Sequence, residues 1–167
     1  MTALRIAFQL LLYVPLMALI GYFSSHPRFT VVPEGQALLR LSIVHGTQRL
    51  HECRERTPEE LAKLAPNMRA ALDCPRERSP MVVELEVDGR VVYRRTARPS
   101  GLRRDGAAAV YHRMQFPAGR HRLVARLRDR AGAGFDYART ADLDIAPGAS
   151  LVIDFSAAQG GFVIKGA

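Results

Sequence analysis

The sequence predicts an all-β domain of the antiparallel sandwich class, with a short helical insertion, behind one transmembrane helix. Three observations lead there. An apolar run from Ile6 to Phe23 is relieved only by Gln9, Pro15 and Gly21. After it come seven or eight short segments of alternating polarity, separated by Gly, Pro and Asp turns. Between Cys53 and Cys74 the apolar period changes from two to that of a helix.

The apolar run spans roughly 27 Å as a helix, enough to cross the hydrocarbon core once. A cleaved signal peptide is the competing reading, since a basic start precedes a leucine-rich core. Cutting after Ser24 or Ser25 would place Tyr22 or Phe23 three positions back, where small residues are needed, so an uncleaved anchor is expected. Residues 1–5 then form a cytoplasmic tail, 6–23 the span, 24–28 a stalk and 29–167 a periplasmic domain. That arrangement places the protein in a bacterial inner membrane, with its amino terminus inside. Pro15 is expected to kink the span.

The first strands are expected at Phe29–Val32 and at Gln36–His45, where Leu39, Leu41 and Ile43 share a face against Arg40 and Ser42. A helical excursion over 57–72 follows. Thr57 is its N-cap, Pro58 its first residue and Glu60 the partner in a capping box. Leu61, Leu64, Met68 and Leu72 recur at helical spacing, although Pro66 must break or kink the segment. Cys53 and Cys74 bracket the excursion, and an even cysteine count in an exported domain reads as a disulfide.

Met81–Val87 alternates cleanly, and Asp88-Gly89 is a tight-turn signal into Arg90–Arg98. Ala108–Phe116 runs to the turn Pro117-Ala118-Gly119, after which Arg120–Arg128 reads as the returning strand of a hairpin. Phe135–Ile145, Leu151–Phe155 and Phe162–Ile164 complete the set.

Two passages have a familiar shape. Phe116-Pro117-Ala118-Gly119-Arg120-His121-Arg122-Leu123-Val124-Ala125 resembles the PG-x-H-x-L-x-V turn-and-strand pattern of many bacterial immunoglobulin-like domains. Ala146-Pro147-Gly148 before Leu151-Val152-Ile153-Asp154-Phe155 resembles it again. The resemblance implies an immunoglobulin-like sandwich and carries no activity.

Charge sets the classes of partner. The net charge is +8, and all but one of the 24 Lys and Arg, with all 16 Asp and Glu, lie beyond the apolar run. Lys63 and Lys165 are the only lysines. An arginine-rich domain outside an anionic membrane is expected to favour lipid headgroups or an acidic protein, and an exported domain to leave nucleic acid alone. Arg120, Arg122, Arg126 and Arg128 share the outward face of one strand, with Arg113 projecting from its neighbour. Like charges so stacked repel, so either Asp129 and Asp142 or a partner must offset them. These five arginines are the candidate partner-binding residues.

His112-Arg113-Met114 puts a His and a thioether on one side of a strand, a pairing that copper sites use. Val110 and Phe116 share that side, and His121 alternates with Leu123 and Ala125, so all three candidate ligands read first as core residues. No metal or other cofactor is therefore expected. The carboxylate pairs Glu84/Glu86 and Asp142/Asp144 fall on outward faces. No GxSxG, HExxH, GxGxxG, P-loop or CxxC run is present, so the expectation is a non-enzyme. It is read as an accessory subunit or assembly factor of a larger integral membrane complex. A binding module for envelope glycan or lipid headgroups, or a copper-handling protein, is the alternative.

Overall fold

The computed structural model describes residues 2–26 and 32–166. Two compact units result, Met1–Pro33 and Glu34–Ala167.

The first unit is helix α1 (Thr2–Ser25). It continues unbroken through Pro15, and its apolar side chains are exposed all round. It is long and apolar enough to cross a membrane. Tyr22 and Phe23 meet edge to face near its end, and Tyr22 stacks on His26, an amphipathic cluster of the kind that suits a headgroup layer. The strand expected at Phe29–Val32 lies, apart from Val32, outside the described residues.

The second unit is the β-sandwich. Its elements in chain order are β1 (Gln36–His45), β2 (Arg54–Glu55), α2 (Pro58–Ala62), a 3₁₀ turn (Pro66–Met68) and β3 (Leu72–Asp73). Then follow β4 (Met81–Val87), β5 (Arg90–Ala97), β6 (Ala108–Pro117), β7 (Gly119–Arg128) and β8 (Tyr137–Ile145). β9 (Ser150–Ser156) and β10 (Gly161–Lys165) close the chain. One sheet has the order β10-β9-β1-β6 and the other β5-β4-β7-β8, with β2-β3 as a separate ribbon. Pairing is antiparallel except between β1 and β9, which run parallel.

Alternation supplies the core. Leu39, Leu41 and Ile43 of β1 turn inward with Leu151 and Ile153 of β9, against Met81, Val83 and Leu85 of β4 and Leu123 and Leu127 of β7. All of these are buried. Fully burying each such side chain contributes roughly 1.5–3 kcal/mol.

The Asp88-Gly89 signal builds the expected two-residue hairpin. Both residues have positive φ, 51° and 80°, as a type I′ turn requires, and Asp-Gly tolerates this best. The other apparent hairpin is different. β6 pairs with β1, whereas β7 pairs with β4 and β8, so Pro117-Ala118-Gly119 is a corner between sheets. Gly119 has φ 127°, a backbone state that side chains resist, and the Ala118 amide donates to the Gly35 carbonyl at 2.9 Å.

The two ends of the sandwich differ. The Asp88-Gly89, Pro117–Gly119 and Ala146–Ala149 turns lie with the start of β1 at one pole. The register places the end of β1, the loop from β5 to β6, the loop from β7 to β8 and the whole β2-α2-β3 excursion at the other. There Arg78 acts as a strut, its guanidinium donating to the carbonyls of Thr47 at 2.5 Å and Asp105 at 3.0 Å.

The Cys53–Cys74 disulfide forms, bracketing the excursion as expected. The helix within is shorter than 57–72. Thr57 Oγ1 accepts from the Glu60 amide at 3.3 Å and Glu60 Oε2 from the Thr57 amide at 3.0 Å, so the capping box is complete. The helix nonetheless ends at Ala62, Pro66 opens a 3₁₀ turn and Leu72 belongs to β3. No residue of α2 or of the 3₁₀ turn is buried, so the apolar period has no core to hold it helical.

Candidate functional site

The arginines of β7 do face outward, but register surrounds most of them with carboxylates. β7 is a central strand, and Glu84 lies opposite Arg126, Asp142 opposite Arg122 and Asp144 opposite Arg120. Arg126 bonds Glu84 and Glu86, each at 2.8 Å. Glu86 first, then Glu84, hold the Arg126 guanidinium above its ordinary pKa. Glu84 is only 6% exposed and also meets Arg94 at 3.5 Å. Arg120 reaches Asp144 at 3.4 Å, a wholly surface contact. Arg128 Nη1 donates to the Gly132 carbonyl at 2.6 Å, while its buried Nε has no partner among the described residues. Arg122 contributes its amide to Asp88 Oδ1 at 2.9 Å.

Arg113 is elsewhere, because β6 belongs to the other sheet. It stands opposite Arg40 of β1, both exposed, so these two like charges repel directly. Of the two carboxylates expected to offset the arginines, Asp142 is in place. Asp129 is instead 2% exposed and bonded to His45 Nε2 at 2.8 Å. His45 packs its ring against Phe155 and Tyr137.

The candidate metal ligands are each engaged by other partners. His112 stacks on Tyr93 of β5 with ring centroids 4.0 Å apart, and Met114 packs against the core. His121 has Nδ1 2.6 Å from Asp88 Oδ2 and Nε2 3.0 Å from the Pro117 carbonyl. Both ring nitrogens are thus engaged by protein oxygens, and neither is turned toward an open ligand position. The contact with His121 first, and the Arg122 amide second, hold Asp88 below the usual carboxylate range. Among the described residues no group of three His, Cys, Asp or Glu is arranged to hold a metal.

Three open cavities flank these residues. One of about 550 Å³ lies over Arg120, Arg122, Asp142 and Asp144 on β7 and β8. One of about 480 Å³ lies beside Met114, Asp88 and His121. The largest, about 660 Å³, is a cleft between β5 and β6 lined by Tyr93, Arg95, Arg98, Tyr111 and His112. β5 and β6 each end a sheet, so each has one free edge beside this cleft. The opposite side of the sandwich is closed differently, by Arg139 of β8 donating to the Phe162 carbonyl of β10 at 2.7 Å.

Composition pointed to β7, and the cleft residues of β5 were missed. The signal for them was present: from Arg90 to Arg128 the sequence holds a single acidic residue, Asp105. Neither β5 nor β6 contains any. Arg95, Arg98 and Arg113 make no ion pair among the described residues, in contrast to Arg120 and Arg126.

No protein-family model matches the chain, and no curated protein matches it in sequence.

Proposed function

We propose that the protein is a non-catalytic, single-pass inner-membrane protein whose periplasmic sandwich docks onto a larger integral membrane complex as an accessory subunit or assembly factor. The observation that carries this reading is one anchor-length apolar helix joined to a β-sandwich bearing the Cys53–Cys74 disulfide. The helix is suited to a bilayer, and the disulfide to an oxidising compartment.

The test is purification of the full chain from its native membrane in mild detergent. An integral membrane protein should remain with it at fixed stoichiometry through a second sizing column. A chain that elutes alone, or whose mature amino terminus lies near Ser25, overturns the reading.

A further inference from the structure

Resting on that docking role, we propose that the β5–β6 cleft is the docking surface, and that it receives an extended, acidic segment of the partner protein, paired along the free edge of β5. Three observations converge on it. β5 pairs with β4 alone and β6 with β1 alone, so two strands of eight and ten residues leave backbone donors and acceptors unpaired beside one cleft. Arg95 and Arg98 line that cleft, and neither they nor Arg90 of β5 and Arg113 of β6 make an ion pair among the described residues. The register of β5 against β4 is regular from Tyr93 to Ala97, the bulge falling at Leu85/Glu86 beyond it, so this stretch can template a further strand.

Edge arginines by themselves guard a sheet against self-pairing, since a second copy would bring arginine against arginine. The same guard selects for a strand carrying Glu or Asp. A strand added to β5 lies about 4.8 Å from it, which places its side chains over Arg95, Arg98 and Tyr111. A lipid headgroup or polyphosphate satisfies the arginines but leaves the strand edge unpaired, and so a peptide segment is favoured. The Tyr93–His112 stack holds the two strands together at the cleft floor, which keeps the site formed before a partner arrives.

The probe is a fluorescent ten-residue peptide of alternating Glu and Val, titrated into the full chain in detergent micelles and read by anisotropy. Saturable binding is expected, and weakening of about ten-fold or more in Arg95→Glu/Arg98→Glu. The Arg122→Glu variant on β7 should bind within about two-fold of the parent. The same peptide with alternate backbone amides N-methylated should lose about ten-fold against the unaltered protein, an arm that needs no variant to fold. Amide exchange within Tyr93–Ala97 should slow when the unmethylated peptide is bound. Absence of saturable binding, equal binding of the methylated peptide, or equal loss in Arg122→Glu overturns the proposal. So does tight binding to phosphatidylglycerol vesicles that the peptide fails to compete. If the membrane partner still co-purifies with Arg95→Glu/Arg98→Glu, the cleft is wrong while the docking role stands; if the parent chain has no partner, the role itself fails.

Discussion

Replacing both Cys53 and Cys74 with Ser should cost far less than loop-closure entropy suggests. The bond joins residues 21 apart, for which the chain-entropy relation gives about 3.3 kcal/mol. That relation assumes a native state that stays fully ordered without the bond. Here the enclosed segment buries nothing in α2 or its 3₁₀ turn, and β2-β3 is a ribbon of two residues a side. Its three ion pairs, Arg54–Glu60, Arg54–Asp73 and Arg56–Asp73, lie at or near the surface, the last partly buried. The neck below the sulfurs is held separately, by the Leu50 amide on the Glu77 carbonyl at 2.9 Å and the Ser79 amide on the Gln48 carbonyl at 2.8 Å. Without the bond, residues 54–73 can melt while the sandwich stays folded, and they regain roughly 1 kcal/mol or more of backbone entropy each as their weak local bonds are lost. The expected global loss is therefore about 1 kcal/mol, a Tm drop of roughly 3–4 °C for a domain of this size. Thermal unfolding by circular dichroism gives the shift, and amide exchange should show residues 54–73 deprotected while β1, β4 and β7 stay protected. A drop worth the full entropy figure, with residues 54–73 exchanging only on global unfolding, would refute the reasoning.

Three further perturbations test the sandwich itself. Arg126→Ala strips the buried Glu84 of its 2.8 Å partner and should cost about 1–2 kcal/mol in urea unfolding, whereas Arg120→Ala, losing a surface contact, should stay within about 0.5 kcal/mol. Leu41→Ala removes a fully buried side chain between β6 and β9 and should cost about 2–5 kcal/mol, read from the same urea curves. The Asp88 carboxyl is held below its ordinary value of 3.8, so folding favours its charged form; the stability it adds is present above that value and lost as pH falls through the lower folded value. Tm measured between pH 5 and about 2 should thus fall more steeply for the parent than for Asp88→Asn, and parallel curves would remove the His121–Asp88–Arg122 linkage as its cause.

The strands were legible where one face is buried and the turn chemistry is unambiguous. β1 runs Gln36–His45 and β4 Met81–Val87, as alternation alone places them, and Asp88-Gly89 fixes the hairpin after β4. The corner between β6 and β7 was not legible as such. A three-residue turn between two inward-facing amphipathic strands reads identically whether they pair or cross to opposing sheets. That ambiguity also joined His112, Met114 and His121 on paper. What engages them lies far away in sequence, Tyr93 for His112 and Asp88 for His121. The excursion shows the converse error. Leu61, Leu64, Met68 and Leu72 keep helical spacing, yet spacing stabilises a helix only where an apolar surface receives it. Only the turn secured by the Thr57–Glu60 capping box is helical.

Charge follows the same logic of position. A side chain on a central strand has a neighbour on each flank, and β7 finds Glu84 and Glu86 on β4 and Asp142 and Asp144 on β8. A side chain on an edge strand has neighbours on one flank only. On β5, Arg94 meets Glu84 while Arg95 falls opposite Val83, and on β6, Arg113 falls opposite Arg40. Counting arginines along the sequence therefore singles out β7, where Arg120 and Arg126 are already ion-paired within the fold. Counting those without a carboxylate across the ladder brings in Arg95 on β5 and Arg113 on β6, the edge strands on which the proposed docking surface rests.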